Sequence, residues 1–379
     1  MPVPPLPFLD FLDGALTLDG TPVLCDDTSE GWMRYGELRE LVKKLVPFWH
    51  KARETGPKSL ILLALPRTKD GAAAYLSAAA SGHALLLIDP ASNPPAPFIR
   101  TYEPDWVLLP SSYRPEGPYS LVDFPLTDFQ LWQRTTVPVT AVHPDLFLLL
   151  LPPAPADATK TVRLSYDAIA HNTRASIKAL GFMQDTRGVL LMPFAYSFGL
   201  SLLHMTLTAG ASLMLSELAL KNRLLWETIQ RRDVNLFAGV PFHFEYLARA
   251  GLDNLRVPRL KNFLQAGGRM SLERTQDMLR QITARAGQLF ILYGLTEAAP
   301  RITCLPLHER PEKIGSVGQV LEGGSLTLVD GQLVYQGPNV MLGYAQRRAD
   351  LAKGNVQYGT LPLPEAGRLD EEGFLFFGS

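Results

Sequence analysis

Short apolar runs, the length of strands rather than helices, alternate with polar or small-residue segments along most of the chain. Residues 59–64 form such a run, bounded by Pro66, and read as a buried strand. Residues 69–80 follow as a small-residue helix, and residues 84–88 as a second strand closed by Asp89-Pro90. Strand, helix, strand at this spacing is a βαβ unit, which implies a parallel sheet with helices on its faces. Residues 105–109 and 145–151 read as further buried strands. The pattern returns in the second half, with strands at 186–192, 212–215, 236–240, 262–265 and 288–292 and helices at 200–209, 223–231 and 242–250. After about residue 313 the runs shorten to 325–328, 332–335 and 374–377, punctuated by Asp330-Gly331, Gly337-Pro338 and Glu372-Gly373. Asp-Gly between apolar stretches predicts a hairpin. The expected fold is therefore α/β. Two packed α/β subdomains with largely parallel sheets, at 1–170 and 171–310, precede a small β-rich subdomain, a distorted barrel, at 311–379.

Composition narrows the function classes. Of 379 residues, 46% are apolar, which suits a large packed core. A net charge of −1 offers no electrostatic footprint for nucleic acid or for an anionic membrane. The longest apolar runs, such as 146–151, are too short to span a bilayer, and the first residues lack a secretory pattern. Cys25 and Cys304 stand far apart in no metal-ligand pattern and read as free buried thiols in a reducing compartment. A cytoplasmic protein is expected. The proline clusters at 94–97 and 152–155 read as loops. No Gly-x-Gly-x-x-Gly follows a strand, which speaks against a dinucleotide site.

Several short blocks carry chemistry. Pro193-Phe194-Ala195-Tyr196-Ser197-Phe198-Gly199 and Ala238-Gly239-Val240-Pro241 come first. Gln265-Ala266-Gly267-Gly268-Arg269 and Tyr293-Gly294-Leu295-Thr296-Glu297 follow. Lys313-Ile314-Gly315-Ser316-Val317-Gly318 and the block from Gly337 to Tyr344 complete the series. Their order and content resemble the acyl-adenylate-forming superfamily of acyl-CoA synthetases, aryl-acid ligases, luciferases and peptide-synthetase adenylation domains, over the chain from about Leu62 to its end. Singly, each is only a strand-ending turn; the ordered series carries the likeness. The missing side chains of Gly267-Gly268 let backbone approach a flat ring. The resemblance implies that Gly267, Gly268, Arg269, Tyr293 and Gly294 frame adenine. It also implies that Thr296 and Lys160 touch phosphate and that Glu365 holds ribose. Glu297 would hold Mg²⁺, which prefers carboxylate and phosphate oxygens. ATP and Mg would be the cofactors, and a small carboxylic acid the substrate. The acyl group would pass to CoA, a carrier protein or an amine.

This chain departs from the family pattern in three places. Where the family has a Ser/Thr/Gly-rich phosphate loop, residues 152–161 hold three prolines, Asp157 and no glycine, and proline removes amide donors. Lys160 matches the family lysine but reads equally as a solvated loop lysine. Tyr166 replaces a usual histidine. The family's ribose-binding Thr-Gly-Asp becomes Leu363-Pro364-Glu365. The chain reaches Ser379 where the family's hinge begins, so the resemblance implies that the C-terminal lid and its lysine are absent. In the acid pocket, Ala195 stands where amino-acid-activating relatives have aspartate, leaving an ammonium unpaired on burial. Tyr196, Ser197, Phe198, Phe242 and Phe244 imply an apolar or aromatic acid, with Leu200 read as core. His204 and His243 read as packing histidines. Two readings stay open: an acid ligase in which Arg163, Arg269 or Arg301 has replaced the phosphate loop, or a degenerate module that binds or scaffolds within a biosynthetic pathway.

Overall fold

The computed structural model describes residues 5–14, 18–49, 58–136, 140–152 and 158–378. Two mixed sheets organise the molecule. The first has eight strands, in the spatial order Gly343–Ala345, Thr161–Ser165, Leu146–Leu150, Ala84–Ile88, Leu60–Ala64, Trp106–Pro110, Phe129–Arg134 and Tyr119–Val122. Its centre is parallel: Leu60–Ala64 pairs with Ala84–Ile88 and Trp106–Pro110, and Ala84–Ile88 with Leu146–Leu150. Those central strands read LILLA, ALLLI and LFLLL and are buried at every position. Continuous apolar runs belong to parallel strands covered on both faces. The helix Lys69–Ala80, capped by the Thr68 side chain, lies among them, and its alanines before Ala80 are buried.

The second sheet has nine strands, in the order Gln319–Val320, Arg301–Pro306, Gln288–Gly294, Asn262–Gln265, Leu236–Gly239, Arg187–Leu190, Ser212–Leu215, Pro22–Cys25 and Met33–Arg34. It is parallel from Pro22–Cys25 through Gln288–Gly294 and antiparallel at both ends. The parallel strands Leu236–Gly239, Asn262–Gln265 and Gln288–Gly294 end side by side, and their final residues lead into the segments that build the site. The C-terminal region forms a three-stranded sheet and a two-stranded ribbon. Its hairpin turns at Asp330 (φ 48°) and Gly331 (φ 82°), the left-handed pair that an Asp-Gly turn demands.

The subdomain limits expected from the sequence are not the limits of the sheets. Strand Pro22–Cys25 joins the second sheet and strand Gly343–Ala345 the first. Sheet membership follows edge pairing, which a linear pattern cannot reveal. One apolar cluster runs through both halves, from Leu6 to Leu375. The cluster at 94–97 is not a loop: Pro95 opens the helix Pro95–Tyr102, where a missing N–H costs nothing. The strand Thr161–Ser165 and helix Tyr166–Leu180 follow the segment 153–157, which lies outside the described residues. Arg348 ties the turn at Arg348–Ala352 to the first sheet through Asp105 at 3.1 Å, both side chains being buried. Among the described residues, no helix is long and apolar enough to cross a membrane.

Candidate functional site

A cavity of about 1060 Å³ opens where the second sheet's parallel strands end and the C-terminal strands fold over them. It brings together Tyr196, Ser197, Phe198, Gly267, Gly268, Arg269, Tyr293, Gly294, Thr296, Glu297 and Glu365 of the residues singled out in the sequence. Ala195, Phe242, Phe244 and Lys160 are not part of its lining. Phe244 is fully buried in the separate cluster beneath the second sheet, among Phe237, Leu247 and Phe263. Phe242, next to it on the helix Pro241–Ala250, points to solvent at 68% exposure, so neither phenylalanine walls the cavity. Ala195 packs against the main core.

The Gly267-Gly268 turn follows strand Asn262–Gln265 directly. Gly267 has φ 73° and Gly268 φ 143°. A Cβ on Gly267 would press on the Tyr196 hydroxyl and on Val240, and one on Gly268 would approach the Pro241 ring at 3.1 Å. Only glycine combines that conformation with that proximity. The Gln265 amide donates to the Gly268 carbonyl at 2.8 Å and fixes the turn. Tyr293 stands near the end of strand Gln288–Gly294, where its hydroxyl donates to Glu365 Oε2 at 2.7 Å. Burial first, then this bond to a carboxylate, pushes the phenol pKa well up. The Tyr293 ring meets Phe377 edge-on at 4.6 Å, and Arg269 lies over the other ring of that pair, Phe377, while donating to the Gly378 carbonyl at 3.0 Å.

The turn after Gly294 is tightly packed, because a Cβ there would collide with the Pro300 carbonyl. It delivers Thr296 and Glu297 on one short 3-10 turn. The Thr296 and Ser197 hydroxyls share a hydrogen bond at 3.1 Å, with Ser197 held at the first turn of the helix Ser197–Thr208. Glu297 is buried. Its Oε1 accepts from the Tyr344 hydroxyl at 2.8 Å, and its Oε2 has no partner among the described residues. Lys160 reaches this pair from behind: its ammonium stands 3.7 Å from the centre of the Tyr344 ring, a cation–π contact. Tyr344 is therefore a site residue that spacing alone did not single out. It lay inside a quoted block, but only its pairing with Glu297 reveals the role.

The three arginines offered as replacements for the phosphate loop have different fates. Arg163 is fully buried, and its guanidinium is spent on the carbonyls of Leu342, Tyr344, Lys353 and Gly354. It fastens strand Gly343–Ala345 and cannot serve phosphate. Arg269 edges the cavity. Arg301 lies in the cavity wall, 2% exposed, with its guanidinium 5.3 Å from the Phe198 ring centre. His204 and His243 are packing residues. His204 meets the Tyr75 hydroxyl at 2.7 Å, and His243 Nδ1 accepts from the Val240 amide at 3.0 Å. Cys25 and Cys304 are buried and unpaired, and burial pushes each thiol up to about 12.

Known proteins match this arrangement. The AMP-binding enzyme family matches residues 158–345. A 2-succinylbenzoate–CoA ligase of Bacillus pumilus (strain SAFR-032) is 28% identical over 229 residues, covering 57% of this chain and 45% of the ligase. The chain thus spans about half the length of the curated relatives it matches first. Among solved structures, VinN with L-aspartate superposes with a TM-score of 0.77 at 19% identity, covering 98% of both chains. O-succinylbenzoate coenzyme A synthetase from Bacillus subtilis in complex with AMP gives 0.75 at 17%, over 98% of this chain and 78% of that one. At such identities the structures speak for the fold. Residues 158–345 thus match the AMP-binding enzyme family, and nearly the whole chain shares the fold of these solved structures.

Proposed function

We propose that the cavity binds an adenine nucleotide beside a small apolar or aromatic carboxylic acid and joins them as an acyl adenylate. A thiol of CoA or of a carrier protein, or an amine, then takes the acyl group as its bond to the phosphate oxygen breaks and AMP leaves. The observation that carries this reading is convergence. Gly267-Gly268, Tyr293, Thr296, Glu297 and Glu365, distant in sequence, line one cavity with Tyr196, Ser197 and Phe198.

In the proposed reaction a carboxylate oxygen attacks the α-phosphorus of ATP. The new O–P bond forms as the bond to the β-phosphate's bridging oxygen breaks, and pyrophosphate leaves with that electron pair. Such chemistry is mostly positioning and charge stabilisation. The flat glycine turn and the Tyr293 ring would sandwich adenine. Glu365 holds the Tyr293 hydroxyl and would face ribose. The Ser197–Thr296 hydroxyl pair would offer a proton to a phosphate oxygen. The donor set fits Mg²⁺: Glu297 Oε2 is a buried carboxylate oxygen without a partner, and a cation that keeps waters and phosphate oxygens needs only one or two carboxylates. When bound there, Mg²⁺ would neutralise charge on the phosphates. A reducing cytoplasm suits the two buried, unpaired thiols.

A second reading, nucleotide binding without turnover, draws on Arg163 being wholly engaged and on Tyr344 holding Glu297. Calorimetry with Mg-ATP and with AMP, followed by pyrophosphate exchange over aryl and acyl acids, separates the two. ATP binding lost in Glu297→Ala, with exchange for some acid, is the expected result. AMP binding without exchange supports the second reading. No heat with either nucleotide, from folded protein, refutes both.

A further inference from the structure

Arginines buried for structural reasons have their forks filled. Arg163 spends its guanidinium on four carbonyls, and Arg348 on Asp105 and the carbonyls of Thr140, Tyr102 and Glu103. Arg301 is different. Nη1 has a 3.4 Å contact with the Ser176 hydroxyl, while Nε and Nη2 have no partner among the described residues. Its backbone is pinned on both sides by Asn172, which accepts from the Arg301 amide at 3.2 Å and donates to its carbonyl at 2.7 Å. The strand position from which the side chain projects is therefore fixed. Burial lowers its pKa to about 10, with Cys304 the nearby group that acts the other way, so it stays charged at neutral pH. No ion pair to Arg301 occurs among the described residues. A buried guanidinium without an anion is costly to keep, and it recovers that cost when an anion arrives.

Its position says which anion. Arg301 lines the cavity together with Phe198, Ser197 and Pro300, on the wall that the acid would occupy. The Phe198 ring centre lies 5.3 Å from the guanidinium carbon, a contact through the flat face that does not use the in-plane N–H groups. A planar fork with two free N–H groups matches a carboxylate in bidentate fashion. The geometry points to Arg301 as the specificity residue for a second carboxylate carried by the acid substrate, so that the preferred acids are dicarboxylates with an apolar or aromatic spacer. This rests on the acid-binding reading of the cavity. One carboxylate would lie at the reacting end by Thr296, the other against Arg301, with Tyr196 and Phe198 along the spacer.

The test is calorimetric titration of the full chain with matched probes, terephthalate against benzoate and adipate against hexanoate, with and without AMP. A charge-assisted bidentate pair predicts that one diacid or both bind at least about tenfold more tightly than their monoacids. In Arg301→Met the ratio falls to within about twofold. Should that variant not fold, Arg301→Lys serves instead: it keeps a cation but not the two-pronged fork, so the diacid-to-monoacid ratio falls at least about threefold. Equal affinity for diacid and monoacid in the unaltered chain overturns the inference, as does a preference that persists undiminished in folded Arg301→Met or Arg301→Lys. AMP titrated alone reports separately on the nucleotide reading. AMP binding without diacid preference sinks only the Arg301 inference, and Arg301-dependent preference without AMP binding sinks only the nucleotide reading.

Discussion

Acidification should destabilise this protein through one buried imidazole. His204 lies inside the helix Ser197–Thr208, stacked on Phe8 at 4.0 Å and hydrogen-bonded to Tyr75 at 2.7 Å. Burial, and secondarily the charge of Arg301, pushes its pKa down from 6.5 to about 3. Between those values the unfolded chain binds a proton that the folded chain refuses. The stability tied to this group is thus intact above the unfolded value and is lost as pH falls towards about 3. At about pH 4.5, roughly two units below the unfolded value, the loss is about 2.7 kcal/mol, from about 1.36 kcal/mol per unit. The double variant Tyr75→Phe, His204→Leu removes the titration and both hydrogen-bond partners together, leaving no orphaned hydroxyl. Urea unfolding, followed by tryptophan fluorescence at about pH 7 and about pH 4.5, gives the acid loss for each protein. Carboxylates titrate in both and cancel in the comparison. The parent should lose about 2–3 kcal/mol more than the variant. Equal losses, within about 0.5 kcal/mol, would refute the assignment of a neutral, proton-refusing His204.

Other perturbations have separate readouts. Arg163→Met leaves the carbonyls of Leu342, Tyr344 and Gly354 without their donor and should cost at least about 3 kcal/mol in urea unfolding; a loss below about 1 kcal/mol contradicts the fastening role. Gly294→Ala places a methyl onto the Pro300 carbonyl, which is backbone and cannot step aside, so a thermal midpoint several degrees lower is expected along with weakened nucleotide binding. An unchanged midpoint would mean the turn is looser than described. Arg348→Met takes the cation from the buried Asp105 carboxylate, which keeps the Leu60 amide, and should cost about 3–5 kcal/mol. Arg310→Ala, at an exposed pair with Glu312, should cost less than about 1 kcal/mol by the same assay.

The strands that read most clearly in the sequence are those whose own residues settle the matter. Residues 60–64, 84–88, 262–265 and 332–336 are apolar runs bounded by turn signals, and they are strands in the structure. Pairing partners were not legible. Nothing local in Pro22–Cys25 says that it completes the second sheet, nor in Gly343–Ala345 that it edges the first. Pro95 misled because proline is a breaker inside a helix but an opener at its first turn. At the site, glycine spacing marked Gly267 and Gly268 because their conformation requires the residue type. Aromatic identity marked Phe242 and Phe244 wrongly as cavity walls, since one faces solvent and the other the core, a choice fixed by helix rotation. The roles of Tyr344 and Arg301 depend on what faces them across the cavity, which no one-dimensional pattern contains.

Strand Pro22–Cys25 has a consequence for how the protein is made. Its neighbour Ser212 lies 190 residues further along, and the Pro22 carbonyl accepts from that hydroxyl at 2.9 Å. On a ribosome adding about 5–20 residues per second, the first strand waits roughly 10–40 s for its partner to emerge. Throughout that interval Val23, Leu24 and Cys25, all buried in the finished sheet, have nowhere to go. The nascent chain should therefore engage a holding chaperone early and release it late, and a stalled or clipped chain ending before Ser212 should aggregate rather than fold.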